Sequence, residues 1–374
     1  MKLPNLTLKW ADALYSQHEA VFKRQESDRF VLFDYYYADY AIFRDFPETR
    51  EFRGIIFDKT TGQLVSRPFH KFFNVNENPE LLEENLTFKG RAYEKQDGSM
   101  AQLTSHNGVL VVASRSSLNG YVNQEVNRFL THHPDIINFV MGYPNHTFLF
   151  EYLDPNAPIV LRPAAKELVF LNARDKNNGA YCFNTFADIV PARVTPTKEL
   201  NPELWNSYFK PFLENVDNHE GFVLDLEYRG LVKVKTAWYV KSHRLVTEKS
   251  PKGFITEWAS GTLDDSIAAL LALGHPNVAK EAELVVAQVK VALEDSLDRL
   301  YSTGINEEMT TKEVAVLLQR NLSNPIDKLS FGVLMASQRS GDLLDKAYNF
   351  NQLRLSLGES AARIRTVLDV LNLK

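Results

Sequence analysis

The residue pattern changes near Pro251, and this change constrains the fold more than any other feature of the sequence. Residues 1–250 carry 37 of the 43 aromatic residues and 13 of the 16 prolines, whereas residues 251–374 are rich in Leu and Ala. Short alternating runs bounded by turn residues predict strands in the first part. Apolar residues at three- and four-residue spacing, as in Val285, Val289 and Leu293, predict helices in the second. We therefore predict two domains, residues 1–250 and 251–374.

Turn residues join several of the predicted strands into hairpins. Asn107-Gly108 separates Met100–Ser105 from Val109–Ser114, and Asn-Gly is a strong hairpin signal. Thr60-Thr61-Gly62 and Tyr228-Arg229-Gly230 each separate another strand pair. Because regular strand–helix alternation is absent, the sequence predicts an α+β fold, with an antiparallel-sheet domain followed by an all-helical C-terminal domain.

The remaining predicted elements complete this outline. Strands are also predicted at Phe30–Tyr37, Glu51–Asp58, Gln63–Phe69, Thr147–Leu153, Glu167–Arg174, Ala180–Phe183, Phe222–Glu227 and Leu231–Lys235. Helices are predicted at residues 10–24, 120–133 and 203–216. In the second part, Thr310-x-x-Glu313 and Ser356-x-x-Glu359 have the form of capping boxes that open helices.

Composition excludes several classes of protein. A net charge of −5 argues against a surface coated with positive charge for bulk nucleic-acid binding. If the protein binds nucleic acid, its positive charge must be concentrated in a groove. The single cysteine, Cys182, allows no internal disulfide, which favours a reducing cytoplasm. Residues 1–16 contain no recognisable secretory signal, and the longest apolar run, Ile267–Leu273, is too short to cross a bilayer. We expect a cytoplasmic protein without a membrane partner.

The stretch Lys95-Gln96-Asp97-Gly98-Ser99 places a lysine beside a tight turn that leads into a predicted strand. One interpretation is a nucleophile held on a sheet and aimed at a phosphate. The alternative is a solvated turn, because the pattern K-x-D-G arises by chance in roughly one chain in ten at average composition.

Other charged residues lie on or beside predicted strands. They are Arg53, Lys71, Arg115, Glu151, Glu220, Lys233 and Lys235. Lys233 and Lys235 project from the same face of one strand, and their repulsion is relieved if an anion lies between them. The alternative for this pair is an outer face wetted by water.

Along the chain come Lys-x-Asp-Gly, a Glu after an apolar strand, Glu-Gly-aromatic and Lys-x-Lys. This order of motifs resembles that of the covalent nucleotidyltransferases, the superfamily of DNA ligases, RNA ligases and messenger-RNA capping enzymes. Further stretches between about Phe33 and Tyr239 resemble the RNA ligase 1 family of T-even-type bacteriophages. They are Glu-Phe-Arg-Gly-Ile-Ile-Phe, Ser-Arg-Pro-Phe-His-Lys-Phe-Phe-Asn-Val-Asn-Glu, Phe-Glu-Tyr, Glu-Gly-Phe-Val and Val-Lys-Val-Lys-Thr-Ala-Trp-Tyr-Val.

This resemblance implies an ATP-dependent RNA ligase that uses Mg²⁺ and acts through lysine–AMP and adenylylated-RNA intermediates. Lys95 matches the nucleophile. The expected partner is RNA with 5′-phosphate and 3′-hydroxyl ends, in RNA repair that extends to transfer RNA. We expect a monomer in the cytoplasm of an infected host cell, if the protein is phage-encoded.

The resemblance also assigns roles to individual residues. Tyr35, with Tyr36 and Tyr37 as alternatives, lies near the nucleotide, and Arg53 and Lys71 contact the ATP phosphates. Phe73 matches an aromatic residue required for activity. Arg115 stands where the family has lysine. Further assignments are Glu151 for the ribose, Phe170 or Leu171 for the adenine, Lys233 and Lys235 for the α-phosphate, and Tyr239 for ligation. Gly98, which has no side chain, would let backbone and phosphate approach closely.

A metal ion is expected to balance the phosphate charge. Glu220 is the candidate ligand. Asp264-Asp265 matches an acidic pair of the family, and its alternative explanation is a helix start favoured by the helix dipole.

Two other functions compete with this one. A DNA ligase or capping enzyme would be expected to carry an OB-fold where this chain is predicted to be helical. A non-catalytic RNA-end-binding module is the other alternative.

Residues 251–374 contain 13 Lys and Arg against 16 Asp and Glu, so they do not form a general RNA clamp.

Overall fold

The computed structural model describes residues 6–36, 40–247, 250–272 and 274–373. The chain divides into two compact units, Met1–Val240 and Lys241–Lys374. The division falls inside a helix, Ala237–Thr247, whereas the sequence places the domain boundary at residue 250. Within the described residues the first unit contains every strand and the second is built from helices, which confirms the predicted α+β class.

The first sheet lies at the N-terminus and is antiparallel, with the order β1-β2-β3-β4. Its elements, with the helices around it, are α1 (Leu8–Gln17), β1 (Phe22–Glu26), β2 (Phe30–Tyr35), α2 (Tyr40–Asp45), a 3₁₀ turn (Pro47–Glu51), β3 (Ile55–Asp58) and β4 (Leu64–Ser66).

The predicted helix at residues 10–24 is wrong in its second half. Helix α1 ends at Gln17, where the His18 amide donates to the Tyr15 carbonyl. Phe22 is fully buried and pairs with Tyr35 across β1 and β2. Burial in the sheet therefore overrides the helical spacing that continues to Val21.

The second sheet has the order β10-β9-β8-β6-β7 and is antiparallel except for the β9–β10 pair. Its elements are β6 (Ser99–His106), β7 (Val109–Ser114), α3 (Tyr121–Leu130), α4 (Pro134–Gly142), β8 (His146–Leu153), β9 (Glu167–Asp175), α5 (Phe183–Phe186) and β10 (Arg193–Val194). Asn107 and Gly108 both have positive φ, which confirms the predicted hairpin turn.

The third sheet has the order β11-β5-β12-β13 and is antiparallel. Its elements, with neighbouring helices, are two 3₁₀ turns (Pro79–Leu81 and Glu83–Asn85), β5 (Gly90–Glu94), β11 (Thr197–Leu200), α6 (Pro202–Leu204), a π-helical turn (Trp205–Phe209), α7 (Lys210–Asn215), β12 (Gly221–Leu226), β13 (Gly230–Lys235) and α8 (Ala237–Thr247).

The predicted strand Ala180–Phe183 is also wrong. Tyr181 forms an isolated bridge with Arg174, and the chain then enters α5 at Phe183. The Tyr181 hydroxyl bonds to His70 Nδ1 at 2.6 Å, and its ring packs against Phe69. These side-chain contacts fix the segment without a strand.

The core of the N-terminal unit determines where the Lys-x-Asp-Gly stretch lies. One buried cluster joins the first and third sheets through residues such as Phe57 and Phe222, and a second packs α3 and α4 on the second sheet. Residues 95–98 connect β5 of the third sheet to β6 of the second. The predicted nucleophile therefore lies at the junction of two sheets.

The described elements of the C-terminal unit are helical. They are α9 (Pro251–Ser260), α10 (Leu263–Ala272), α11 (Pro276–Tyr301), α12 (Thr311–Arg320), α13 (Pro325–Ser340), α14 (Lys346–Gly358) and α15 (Ala361–Leu371), together with the later part of α8. The Thr310–Glu313 capping box is confirmed at the start of α12. The Ser356–Glu359 box is wrong, because Ser356 lies inside α14 and the N-cap position of α15 is Ser360. Among the described helices none is long and apolar enough to span a bilayer.

Candidate active site

Lys95 and Glu220 form an ion pair where β5 meets β12. The Lys95 amide donates to the Gly221 carbonyl at 2.9 Å, which extends the pairing of the two strands by one residue. Lys95 Nζ lies 2.8 Å from Glu220 Oε1, and Lys235 Nζ lies 3.4 Å from the same oxygen. The Glu220 side chain is 2% exposed and that of Lys95 is 21% exposed. A buried carboxylate thus holds two lysines, and both remain partly exposed and line the cavity described next.

A cavity of about 240 Å³ opens beside this pair. Predicted site residues supply much of its polar lining: Arg53, Lys95, Glu151, Lys233 and Lys235. Its apolar lining includes Phe69, Phe72, Met100, Leu171, Val223 and Leu231. The combination of cations and apolar side chains around one cavity suits a ligand that carries both phosphates and a planar base.

Lys233 is the most strongly perturbed cation in the cavity. Burial, together with the positive charges of Lys71 and Arg53, lowers its pKa to about 7. Lys233 Nζ and Arg53 Cζ both lie 5.3 Å from the centroid of the Phe72 ring. Since clustered cations in a buried place repel one another, an anion bound among them would be stabilised.

Glu151 is buried in β8 and lines the same cavity. Burial raises the pKa of its carboxyl to about 7, although the neighbouring Lys95 opposes the shift. Near neutral pH this group is therefore divided between its protonated and ionised forms. Such a carboxyl can either accept a hydrogen bond from a ligand hydroxyl or donate one to it.

Asp97, two residues after Lys95, forms a buried hydrogen bond with Tyr239. The Tyr239 hydroxyl donates to Asp97 Oδ1 at 2.6 Å, and Asp97 Oδ2 accepts the Val160 and Leu161 amides at 2.9 and 2.5 Å. Burial, then the nearby carboxylates of Glu220 and Asp97, raise the pKa of the Tyr239 phenol. Tyr239 therefore remains a hydrogen-bond donor throughout the physiological range.

A second cluster holds the predicted residues Tyr35, Lys71, Phe73 and Arg115, none of which belongs to the described lining of the cavity. Lys71 Nζ lies 4.6 Å from the Phe73 ring centroid and 5.4 Å from that of Tyr35. The Arg115 guanidinium donates to the Tyr35 hydroxyl at 3.5 Å and lies 3.4 Å from Asp34 Oδ2. Phe73 is buried in the core. This cluster can act on a ligand only where that ligand extends beyond the cavity.

The alternatives left open by the sequence have distinct positions. Tyr36 is 68% exposed, and Tyr37 lies outside the described residues. Leu171 lines the cavity, whereas Phe170 is fully buried against Phe183. Of the two residues predicted to cover the adenine, Leu171 therefore has the suitable position.

Gly98 has a structural reason to be glycine in addition to the predicted approach of a phosphate, which stays a prediction. A Cβ atom at this position would lie 2.5 Å from the Tyr152 carbonyl oxygen and 2.7 Å from Leu153 Cδ2. The close approach is thus between the Lys-x-Asp-Gly turn and strand β8.

The described residues contain no group of three or more His, Cys, Asp or Glu side chains that could hold a metal ion. Glu220 Oε2, however, is buried without a hydrogen-bond partner among these residues. Asp264 and Asp265 are exposed in the first turn of α10, in the C-terminal unit. A cation at the cavity would therefore need ligand oxygens from a substrate as well as from Glu220.

Sequence reasoning missed several lining residues, notably Phe72, Asn172 and Thr195. The segment after Lys71 runs beside β13, since the Lys233 amide donates to the Phe73 carbonyl and the Val75 amide donates to the Lys233 carbonyl, both at 2.8 Å. Strand alternation along this segment would have placed Phe72 and Phe73 on opposite faces. Asn172 and Thr195 carry no comparable sequence signal.

The fold and the Lys95–Glu220 pair fit the class of covalent nucleotidyltransferases. The sequence model of the RNA ligase family matches residues 51–241, and the chain belongs to this family. The predicted family is therefore confirmed.

Two curated relatives share 28% identity with the chain. One is RNA ligase 1 of bacteriophage TS2126, aligned over 264 residues that cover 66% of this chain and 65% of the relative. The other, from Thermovibrio ammonificans, is provisionally named as an RNA ligase and aligns over 215 residues, covering 54% of this chain and 55% of the relative. The chain thus matches less than two thirds of the length of either relative. Among solved structures, an archaeal ATP-dependent RNA ligase is 12% identical, with a TM-score of 0.46 over 75% of this chain and 80% of that chain.

Proposed function

We propose that the chain is an ATP-dependent RNA ligase that joins RNA 5′-phosphate and 3′-hydroxyl ends. The observation that carries the proposal is the Lys95–Glu220 pair at 2.8 Å, beside a cavity that Arg53, Lys233 and Lys235 also line. Membership of the RNA ligase family supports the same function. In this proposal residues 1–250 form the adenylyltransferase domain and residues 251–374 the helical C-terminal domain.

Lys95 is the proposed nucleophile of the first step. Its Nζ lone pair forms a bond to the α-phosphorus of ATP, the bond from that phosphorus to the bridging oxygen breaks, and pyrophosphate leaves. A lysine attacks as the neutral amine, and Glu220 Oε1 is the nearest carboxylate oxygen for its proton. Lys233, Lys235 and Arg53 stabilise the negative charge that develops on the phosphate oxygens.

The nucleoside of ATP is proposed to lie against the apolar residues of the cavity lining. Phe72 and Leu171 would cover the adenine, and Glu151 would bond to the ribose hydroxyls. The raised pKa of Glu151, about 7, is consistent with this role because the carboxyl pairs equally well as donor or acceptor.

A divalent cation, Mg²⁺ in this proposal, would be held by Glu220 together with substrate phosphates. Glu220 Oε2, which is buried and has no hydrogen-bond partner in the described part of the chain, fits this role. When bound, the ion would neutralise phosphate charge and favour departure of the leaving group. Asp264 and Asp265 remain the second predicted pair of ligands.

The two later steps transfer AMP to RNA and then release it. A 5′-phosphate oxygen of RNA attacks the AMP phosphorus, which breaks the bond to Lys95. A 3′-hydroxyl then attacks the activated RNA phosphorus, and AMP leaves.

The cluster of Tyr35, Lys71, Phe73 and Arg115 is proposed to contact the part of the ligand outside the cavity. Tyr239 is proposed to support ligation. A role in RNA repair, including transfer RNA, belongs to this proposal.

The test is covalent labelling with ATP that carries ³²P on the α-phosphate. Wild-type protein with Mg²⁺ is expected to gain an acid-sensitive label that pyrophosphate removes, and the Lys95→Ala variant is expected to gain none. A wild-type protein without label, or equal labelling of both proteins, would overturn the proposal. Parallel ligation of 5′-phosphorylated RNA and nicked DNA then separates RNA ligase from DNA ligase activity.

A further inference from the structure

A hydrogen bond between Glu94 and His219 lies directly beside the Lys95–Glu220 pair. His219 Nε2 lies 2.9 Å from Glu94 Oε1. Glu94 precedes Lys95 and His219 precedes Glu220 in the sequence. The same two chain segments are therefore joined twice, once by the reacting pair and once by the pair immediately before it.

The proton position of His219 follows from its surroundings. His219 Nδ1 lies 3.0 Å from the Gly221 amide, which donates to it. The proton of a neutral imidazole must then be on Nε2, and it is donated to Glu94. The hydrogen bond from His219 is the largest cause that lowers the pKa of the Glu94 carboxyl, so Glu94 accepts as a carboxylate.

The His219 ring is held on several sides. It lies 5.0 Å from the Phe212 ring at 90° and 5.2 Å from the Phe222 ring. The His219 carbonyl also accepts the Thr236 hydroxyl at 2.6 Å. Contacts with α7, β12 and the start of α8 therefore fix a ring that in turn fixes Glu94.

The residue on the other side of Lys95 is held in a similar manner. Gln96 Nε2 donates to Glu94 Oε2 at 3.3 Å, and Gln96 Oε1 accepts from Arg193 at 3.3 Å. Both neighbours of the proposed nucleophile are thus tied to surrounding structure. An amine that must attack in line depends on such support, because a displacement of about 1 Å can cost on the order of a hundredfold in rate.

We infer that Glu94 and His219 are positioning residues, whose hydrogen bond holds Lys95 and Glu220 in register for attack on the nucleotide. This inference rests on the proposed function. Glu94 lines the cavity, whereas His219 is not part of its described lining. The inferred role requires neither residue to touch the nucleotide, since each acts through the residue that follows it. Their loss should lower the rate of lysine–AMP formation more than it weakens ATP binding.

A matched pair of variants at one position tests this role. Glu94→Gln keeps a side-chain oxygen that accepts a hydrogen bond from His219 Nε2. Glu94→Met keeps a side chain of similar length that has no oxygen to accept this bond. In single-turnover labelling with ³²P-ATP, we expect Glu94→Met and His219→Ala to react about tenfold more slowly or worse, with a smaller change in the ATP concentration at half-maximal rate. Glu94→Gln should retain most of the wild-type rate.

The control removes a similar pair away from the cavity. His106 Nε2 lies 3.2 Å from Asp58 Oδ2 between the first and second sheets, and His106→Ala is expected to react at the wild-type rate. The positioning role alone would be overturned if Glu94→Met and His219→Ala react as fast as wild type while they melt at the same temperature as the His106→Ala control. A wild-type protein that forms no lysine–AMP would overturn the proposed function and this role with it.

Discussion

Lys233 is the residue whose charge state should respond most clearly to a bound anion. Its pKa is lowered to about 7, chiefly by burial, so at pH 8 most molecules carry the neutral amine. A phosphate bound among the cations stabilises the ammonium and raises this pKa again. We predict that pyrophosphate binding at pH 8 takes up a proton, with an amount approaching one per site. Calorimetric titration in buffers of different ionisation enthalpy measures this uptake.

The Lys233→Met variant assigns the proton to this residue. It should lose most of the uptake, whereas Lys59→Met, which removes an exposed lysine paired with Glu26, should keep it. The expected pH trend follows from the same shift: uptake declines as the pH falls below 7, because Lys233 is then already protonated in the free protein. Identical uptake by wild type and Lys233→Met would contradict the assignment.

For individual residues, the sequence predicts the position of a side chain well where a strand fixes the direction of that side chain. Lys233 and Lys235 were placed on one face by alternation, and both line the cavity. Phe72 was missed because its segment acquires direction only by pairing with β13, a partner more than 150 residues away in the chain. Local alternation does not specify which face of such a segment meets the cavity.

Among the elements, the turn from β5 to β6 depends on the absence of a side chain at Gly98. An added Cβ would lie 2.5 Å from the Tyr152 carbonyl, so either the turn or β8 must move. We predict that Gly98→Ala lowers the free energy of unfolding by ~2 kcal/mol or more. Urea denaturation, followed by circular dichroism, measures the change.

Gly142→Ala is the matched control for this substitution. Gly142 ends α4, and an added Cβ would meet nothing within 4 Å. Alanine has the higher helix propensity, so we expect this variant to be as stable as wild type or slightly more stable. If Gly98→Ala matched Gly142→Ala, the close approach to β8 would not constrain the turn.

Element prediction succeeded where the signal was local and failed where tertiary pairing decided. The Asn107-Gly108 hairpin and the Thr310–Glu313 box are confirmed because each depends on neighbouring residues alone. The second half of the helix predicted at residues 10–24 is wrong because Phe22 pairs with Tyr35 in a strand. Ser356 has the form of a cap, but α14 continues past it to Gly358.

For the whole molecule, the division into two compact units bears on which part carries the first reaction step. Among the residues that the structure describes, those that line the cavity all belong to the unit Met1–Val240. Tyr239, which bonds to Asp97, lies in α8, and this helix continues to Thr247. A fragment of residues 1–247 therefore keeps both the cavity and the helix that carries Tyr239.

We predict that this fragment folds and forms lysine–AMP with ATP and Mg²⁺ at a rate within about threefold of the full chain, because removal of a separate unit leaves the cavity wall intact. The measurement is ³²P labelling of both proteins, with the Lys95→Ala fragment as the blank.

Residues 251–374 carry more acidic than basic side chains, so their loss should not weaken general attraction to RNA. If full-length protein seals a nicked transfer-RNA anticodon loop and the fragment seals only simple 5′-phosphorylated RNA, the helical unit supplies substrate choice. A fragment that folds but forms no lysine–AMP would instead place part of the adenylylation machinery in the C-terminal unit.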